Sequence, residues 1–209
     1  MNWRAVRQKT AVPEFPSILI RSMEGRDSGV WRSTKRPGSM PCIHVCPLSK
    51  LPETARATGA RSLVTLIDEG TAVRRPAGIA AEEHLVVVVS DIVAELDGHT
   101  LPAKSHVEEL LEFVLRWDQA APLLIHCFAG VSRSTAAAFI AACALRPHRN
   151  EAEIAQAVRA NSPTATPNPR LVAIADATLG RHGRMVAAVE KIGRGCSCYE
   201  GVPFVLELR

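Results

Sequence analysis

Short apolar blocks and stretches of helical periodicity alternate along the chain from position 42 onward. Cys42 to Leu48 reads as a strand. Leu51 to Thr58 reads as a short helix, with Pro52 fitting its first turn and Gly59 supplying the stop. Arg61 to Asp68 reads as a second strand ending in an acidic turn, and His84 to Val89 as a third. The apolar run Leu85 to Val89 suits a buried strand, and no apolar run approaches the roughly 20 residues of a membrane span. A helix follows from about Pro102 to Gln119, with Val107, Leu110, Leu111, Val114 and Leu115 on one face. Pro122 opens a fourth strand, Leu123 to His126. Then come a tight loop, Cys127 to Arg133, and an Ala-rich helix to about Leu145 that is apolar nearly all round and should be buried. Asn150 with Glu153 reads as a capping pair, and Asn168 before Pro169 as the next helix start. There is no internal repeat. Strands spaced by helices imply an α/β fold. Its expected form is a central, mostly parallel sheet of four to five strands flanked by helices on both faces.

Composition sharpens this picture in three places. The 209 residues, 47% of them hydrophobic, suffice for one core, and at 4% aromatics that core must be filled mainly by Ala, Val and Leu. Residues 1–39 hold eight Lys/Arg and three Asp/Glu, so of the formal charge of +4 they carry +5 and the remainder carries −1. They lack sustained periodicity and are expected to be a disordered basic extension. Glu14, Glu24 and Asp27 speak against an organelle-targeting peptide. Met40, directly before the first strand, is an alternative start of translation, which would leave 1–39 untranslated. Residues 40–209 are expected to be a single domain with a C-terminal extension after about 180. No basic helix or aromatic-interleaved stripe argues for nucleic acid, and nothing argues for a membrane.

The only apolar stretch of the basic segment, Ser17 to Ile20, is shorter than the roughly 7–15 residues of a secretory signal core. The six cysteines are therefore read as reduced and the protein as cytoplasmic. Cys42, His44 and Cys46 alternate, as do Cys196 and Cys198, but neither set has the usual metal-ligand gap. These cysteines read as small apolar residues on half-buried strands, and no metal or other cofactor is expected.

The chemistry lies in a cysteine followed, after five residues, by arginine. Cys143 and Arg149 show this spacing by chance: the pair runs from a helix into a Pro-His turn, lacks a glycine and follows no strand. The other match reads His126-Cys127-Phe128-Ala129-Gly130-Val131-Ser132-Arg133-Ser134, between a buried-type strand and a helix. A loop curling into a helix N-terminus aims backbone N–H groups at one spot, where the helix dipole also favours negative charge. Gly130 permits the backbone angles such a curl requires. Cys127 at its base is then expected to be a thiolate, and Arg133 can grip two phosphate oxygens with a planar fork that Lys lacks.

This segment resembles the signature of the protein tyrosine phosphatase superfamily. It looks most like the small dual-specificity branch and the compact bacterial proteins related to it, over Met40 to about Gly180. The resemblance implies that Cys127 attacks phosphorus to form a phosphocysteine and that 128–133 cradle the phosphate through Phe128, Ala129, Gly130, Val131, Ser132 and Arg133. It further implies that Ser134 assists the sulfur as leaving group and that His126 orients the cysteine backbone, with no metal needed. The family also uses an acid on a loop before the cysteine. Asp91, just past Leu85 to Val89, is favoured over Asp97, deeper in the same loop, because catalytic groups cluster at strand ends in open sheets. The Trp-Pro-Asp acid loop of the tyrosine-specific branch is absent. Asn168 matches an Asn in a late Pro-Asn context of the dual-specificity branch but reads first as a helix cap.

The expected activity is hydrolysis of phosphomonoesters, with a phosphorylated protein or a small phosphomonoester as partner. Phosphotyrosine is favoured, with phosphoserine and phosphothreonine also open. Phe128, Ala129, Val131 and Ser132 include no basic residue, which disfavours an inositol polyphosphate. A catalytically weak phosphate-binding module, an inositol-phosphate phosphatase and a sulfurtransferase are the rival readings.

Overall fold

The structure, a computed structural model, describes residues 41–209; the basic segment 1–39 and Met40 lie outside the described residues. Five strands form one sheet: β1 (Cys42–Pro47), β2 (Ser62–Ile67), β3 (His84–Val88), β4 (Leu123–Cys127) and β5 (Phe204–Glu207). Their order is β3-β2-β4-β1-β5. The β2·β3, β2·β4 and β1·β4 pairs are parallel, and β5 runs antiparallel to β1. Six helices flank the sheet: α1 (Leu51–Thr58), α2 (Lys104–Arg116), α3 (Arg133–Leu145), α4 (Glu151–Asn161), α5 (Pro169–Thr178) and α6 (Arg184–Ile192). The expected α/β sheet is thus present, mixed rather than wholly parallel. None of the described helices is long and apolar enough to cross a membrane.

Pleating assigns each strand residue to a face. On one face, Cys46, Leu63 and Leu124 pack with Leu51 and Ala55 of α1 and with Ile79 from the β2–β3 connection. The helix ends where Gly59 adopts φ 65°, the left-handed stop anticipated from the sequence. On the other face lies α3, packed against β4, β1 and β2 and covered in turn by α2, α4 and α5. Ala136, Ala137, Ala138, Ala141 and Ala142 are all buried, so small side chains bring α3 close to the sheet while Phe139 and Ile140 fill the remaining space.

The predicted helix over Pro102 to Gln119 is shorter than expected. It starts at Lys104, where His106 Nδ1 accepts the Ala103 N–H at 3.1 Å, and it stops before Trp117, whose indole donates to Ala121 O. Gln119 then takes φ 59°, a conformation no helix continues through. The reading of Cys196 and Cys198 as half-buried strand residues is corrected: both are exposed and lie in an irregular segment. Two alternating residues are too few to define a strand, and Gly193 and Gly195 precede them. Beyond 180 the chain forms α6 and then β5, whose Phe204 and Leu206 point inward as it fills the outer edge of β1.

A buried ion-pair cluster ties this C-terminal part to α3 and α4. Arg181 donates to Cys143 O, to Pro147 O and to Glu151 Oε1 at 3.0 Å, and Arg184 Nε donates to the same carboxylate oxygen at 3.1 Å. Burial alone would raise the Glu151 carboxyl, but a backbone hydrogen bond and the two guanidinium charges outweigh it and hold the group below its ordinary range.

Candidate active site

Cys127 is the last residue of β4, and α3 begins six residues later at Arg133. The loop between them has its carbonyl groups fastened from outside. Phe128 O accepts from Leu48 N at 3.0 Å, Ala129 O from Gly201 N at 2.8 Å, Val131 O from Thr166 N at 2.9 Å and Ser132 O from Asn168 N at 3.3 Å. In a planar trans peptide the N–H points opposite to the C=O. The amides of Ala129, Gly130, Ser132 and Arg133 are therefore turned inward. The Gly130 N–H shows the result directly, donating to Cys127 Sγ at 3.2 Å. Gly130 has φ 70°, and a Cβ there would sit 2.7 Å from Pro47 N and 2.9 Å from Cys46 C, so both backbone angle and space demand glycine. Ser134 Oγ, fully buried, lies 3.1 Å from the cysteine sulfur. The Gly130 amide and the Ser134 hydroxyl thus both converge on a sulfur near the N-terminus of α3.

Arg133 is buried and oriented by Nη1, which donates to Asp68 Oδ2 at 2.6 Å and to Val89 O at 2.7 Å. Its Nε is buried with no hydrogen-bond partner among the described residues. The guanidinium is therefore fixed on one side and keeps donors for an anion. Desolvation would raise the Asp68 carboxyl. The hydrogen bonds from Ser90 and Arg133 and the nearby Arg133 and His99 charges outweigh it and hold Asp68 below its ordinary value.

Asp91 Oδ1 accepts from Ser132 Oγ at 2.6 Å and from Asn168 Nδ2 at 2.8 Å. Ser132 occupies the N-cap of α3 but makes no capping bond, so its hydroxyl does not occupy the amides of the first turn. Asn168 does two jobs. Its Oδ1 caps α5 by accepting from Arg170 N and Leu171 N, both at 3.1 Å, and its amide holds Asp91. Asp97 is exposed and lines no part of the cavity above Cys127.

Beneath the loop, His126 is fully buried. Its Nδ1 is 3.3 Å from Cys127 O, which can only accept, so Nδ1 carries the proton. Nε2 must then accept from Thr65 Oγ1 at 2.7 Å, and Thr65 in turn accepts from His84 Nε2 at 2.8 Å. Strand register brings these together: Thr65 pairs with His126, and His84 pairs with Leu63, two residues before Thr65 on the same face. Burial lowers the His126 imidazole to about 4, despite its bond to Cys127, with the His84 and Arg133 charges adding to the fall. His126 is thus a neutral orienting group at pH 7.

Asp91, Cys127 and Arg133 line one cavity of about 540 Å³ together with Phe128, Ala129, Val131 and Ser132, while His126 and Ser134 lie buried behind Cys127 and Asp97 stays outside. Sequence reasoning missed Asp68 and Thr65 and treated His84 as an ordinary strand residue. Asp68 follows β2 directly, and it becomes a site residue only because β2 lies beside β4. Among the described residues no group of three or more His, Cys, Asp or Glu side chains is placed to hold a metal ion.

No protein-family profile matches the chain, and no curated protein matches it in sequence. Solved structures do match. Human DUSP28 is 21% identical with a TM-score of 0.50, the alignment covering 70% of this chain and 92% of that one. A mouse protein assigned to the dual specificity phosphatases, crystallised with zinc tungstate, is also 21% identical with a TM-score of 0.50, covering 75% and 97%. The chain shares the fold of these two solved structures.

Proposed function

We propose that the protein is a cysteine-dependent phosphatase acting on phosphomonoesters. The observation that carries this reading is the loop between β4 and α3, in which four carbonyls, those of Phe128, Ala129, Val131 and Ser132, are tied outward while the Gly130 amide donates to the Cys127 sulfur and Arg133 keeps donors for an anion. In the first step the Cys127 thiolate attacks phosphorus and the ester P–O bond breaks. The inward amides and Arg133 hold the equatorial oxygens, and Asp91 gives its proton to the leaving oxygen. In the second step Asp91 takes a proton from water, the water oxygen bonds to phosphorus, and the P–S bond breaks. Ser134, 3.1 Å from the sulfur, then stabilises the departing thiolate. Phosphate leaves.

The substrate class follows from what lines the cavity. Arg133 is the one cation among its described lining residues, which suits a single phosphoryl group better than a polyphosphorylated ring. We assign phosphotyrosine in proteins as the main substrate, with phosphoserine and phosphothreonine within reach. All six cysteines are free, which suits a reducing, cytoplasmic setting.

The test is turnover of p-nitrophenyl phosphate and of a phosphotyrosine peptide. Cys127→Ser is expected to abolish turnover yet retain phosphopeptide binding, and Arg133→Lys to weaken both binding and rate. Wild-type turnover by Cys127→Ser would end this reading. Release of thiocyanate from thiosulfate and cyanide, without phosphate release from either ester, would favour the sulfurtransferase.

A further inference from the structure

The segment joining α6 to β5, residues 193–203, runs beside the mouth of the cavity and is fastened along its length. Arg159 holds its start by donating to Ile192 O at 2.8 Å and to Gly193 O at 2.9 Å. Gly195 N donates to Thr166 Oγ1 at 3.1 Å and Cys196 N to Pro163 O at 2.9 Å. Farther along, the Glu200 carboxylate accepts from Ser49 Oγ at 2.9 Å. Gly201 N donates to Ala129 O, inside the phosphate-binding loop itself, and a Cβ on Gly201 would lie 3.0 Å from Gly130 O. These ties bracket Tyr199, which lines the same cavity as Cys127.

Tyr199 is the only tyrosine in the chain and is 91% exposed. Its ring therefore contributes nothing to the core. Phe128, adjacent to Cys127 and 54% exposed, lines the cavity as well. Two large rings thus stand in water at the opening of a site whose floor binds one phosphoryl group. A phosphotyrosine places an aromatic ring between phosphate and backbone, where such rings can stack on it; phosphoserine offers a single methylene.

We propose that Tyr199 is a specificity-determining residue that, together with Phe128, grips the ring of phosphotyrosine and selects aryl over alkyl phosphates. This rests on the phosphatase reading of Cys127. The selecting ring comes from the segment before β5, tied to the phosphate-binding loop through Gly201, so its position depends on that loop's own geometry.

The experiment compares kcat/KM for a phosphotyrosine peptide and its phosphoserine counterpart in the full chain, the Tyr199→Ala variant and the Tyr199→Phe variant. Tyr199→Ala is expected to lower kcat/KM on phosphotyrosine by about three- to tenfold, the usual worth of an aromatic contact. The phosphoserine value and inhibition by inorganic phosphate should stay within twofold, and Tyr199→Phe should keep the preference. Equal losses on both peptides would make Tyr199 a structural prop and overturn the inference, as would no loss on either. Hydrolysis of p-nitrophenyl phosphate without any turnover of the phosphotyrosine peptide would overturn the inference and the phosphotyrosine assignment but leave the cysteine-dependent phosphatase standing. A wild-type chain that hydrolyses none of the three would overturn the phosphatase reading and the inference with it.

Discussion

Ser132 turns its hydroxyl away from the helix it precedes and donates it to Asp91 Oδ1 at 2.6 Å. One short contact thereby couples the loop after β3 to the loop between β4 and α3. The same oxygen receives the Asn168 amide, while Oδ2 of Asp91 accepts no hydrogen bond among the described residues. In the proposed mechanism, Asp91 anchored through one oxygen keeps the other for the proton it transfers.

Asp91→Asn should therefore slow hydrolysis of tyrosyl and alkyl phosphates by about 10²–10⁴, the usual worth of a general acid. The loss should shrink for p-nitrophenyl phosphate, whose leaving oxygen needs little protonation. Asp97→Asn is the control and should leave both rates near wild type. A leaving-group-dependent loss in Asp97→Asn, absent in Asp91→Asn, would reverse the assignment.

Gly130→Ala would force a Cβ to within 2.7 Å of Pro47 N at a φ of 70°. The neighbour is backbone and cannot swing aside. The expected result is a stability loss of about 1–3 kcal/mol together with loss of phosphate binding, read from denaturant midpoints and from phosphate inhibition. Gly59→Ala has a similar φ, 65°, but open space, so it should cost about 1 kcal/mol and leave turnover intact.

The buried His126 makes stability depend on pH in a defined interval. Its imidazole is lowered from 6.5 to about 4, so the unfolded chain takes up this proton at a higher pH than the folded one. The contribution is complete above pH 6.5 and is lost as pH falls from 6.5 toward 4, by up to ~3 kcal/mol. Urea midpoints should decline over that interval, and His126→Asn should flatten the decline. His44 and His84, both lowered by burial, account for part of the remaining slope. The Asp68 carboxylate acts at lower pH, its contribution fading only below its ordinary value of 3.8. A slope unchanged by His126→Asn would contradict this account.

Arg181 and Glu151 are both buried and paired, and Glu151 is also held by Arg184. Removing Arg181 strips the carboxylate of its buried partner and leaves it only the half-exposed Arg184. Arg181→Met is expected to destabilise the protein by about 3–5 kcal/mol, while the paired Arg181→Met, Glu151→Leu variant should recover much of the loss. Thermal melts of the single and double variants decide it. A single variant that melts like wild type would show that Arg184 alone satisfies Glu151.

What the sequence disclosed and what it concealed divide along chain distance. Residues 126–134 were legible because the chemistry needs them contiguous, on a strand end, a turn and a helix start. Asp91 was legible as the polar residue beyond a strand. Asp68 and Thr65 were not, since nothing local says that β2 lies against β4 rather than at an edge. The double use of Asn168 was half visible: the cap follows from Pro169, but the bond to Asp91 spans 77 residues. β5 escaped because four residues with two inward side chains are too short a pattern to separate from loop.

The pairing of Cys42 with Glu207 has a consequence for the order in which the protein is made. β1 leaves the ribosome first, and its outer edge stays open until β5 follows. Cys127, Arg133, Asp91 and Asn168 are all synthesised before that moment, whereas Tyr199 and the Gly201 tie to Ala129 come with β5. A nascent chain thus carries Cys127, Arg133 and Asp91 before Tyr199 and Gly201 are made. The loop after Cys127 gains its tie at Ala129 and its neighbour Tyr199 together, as β5 completes the sheet.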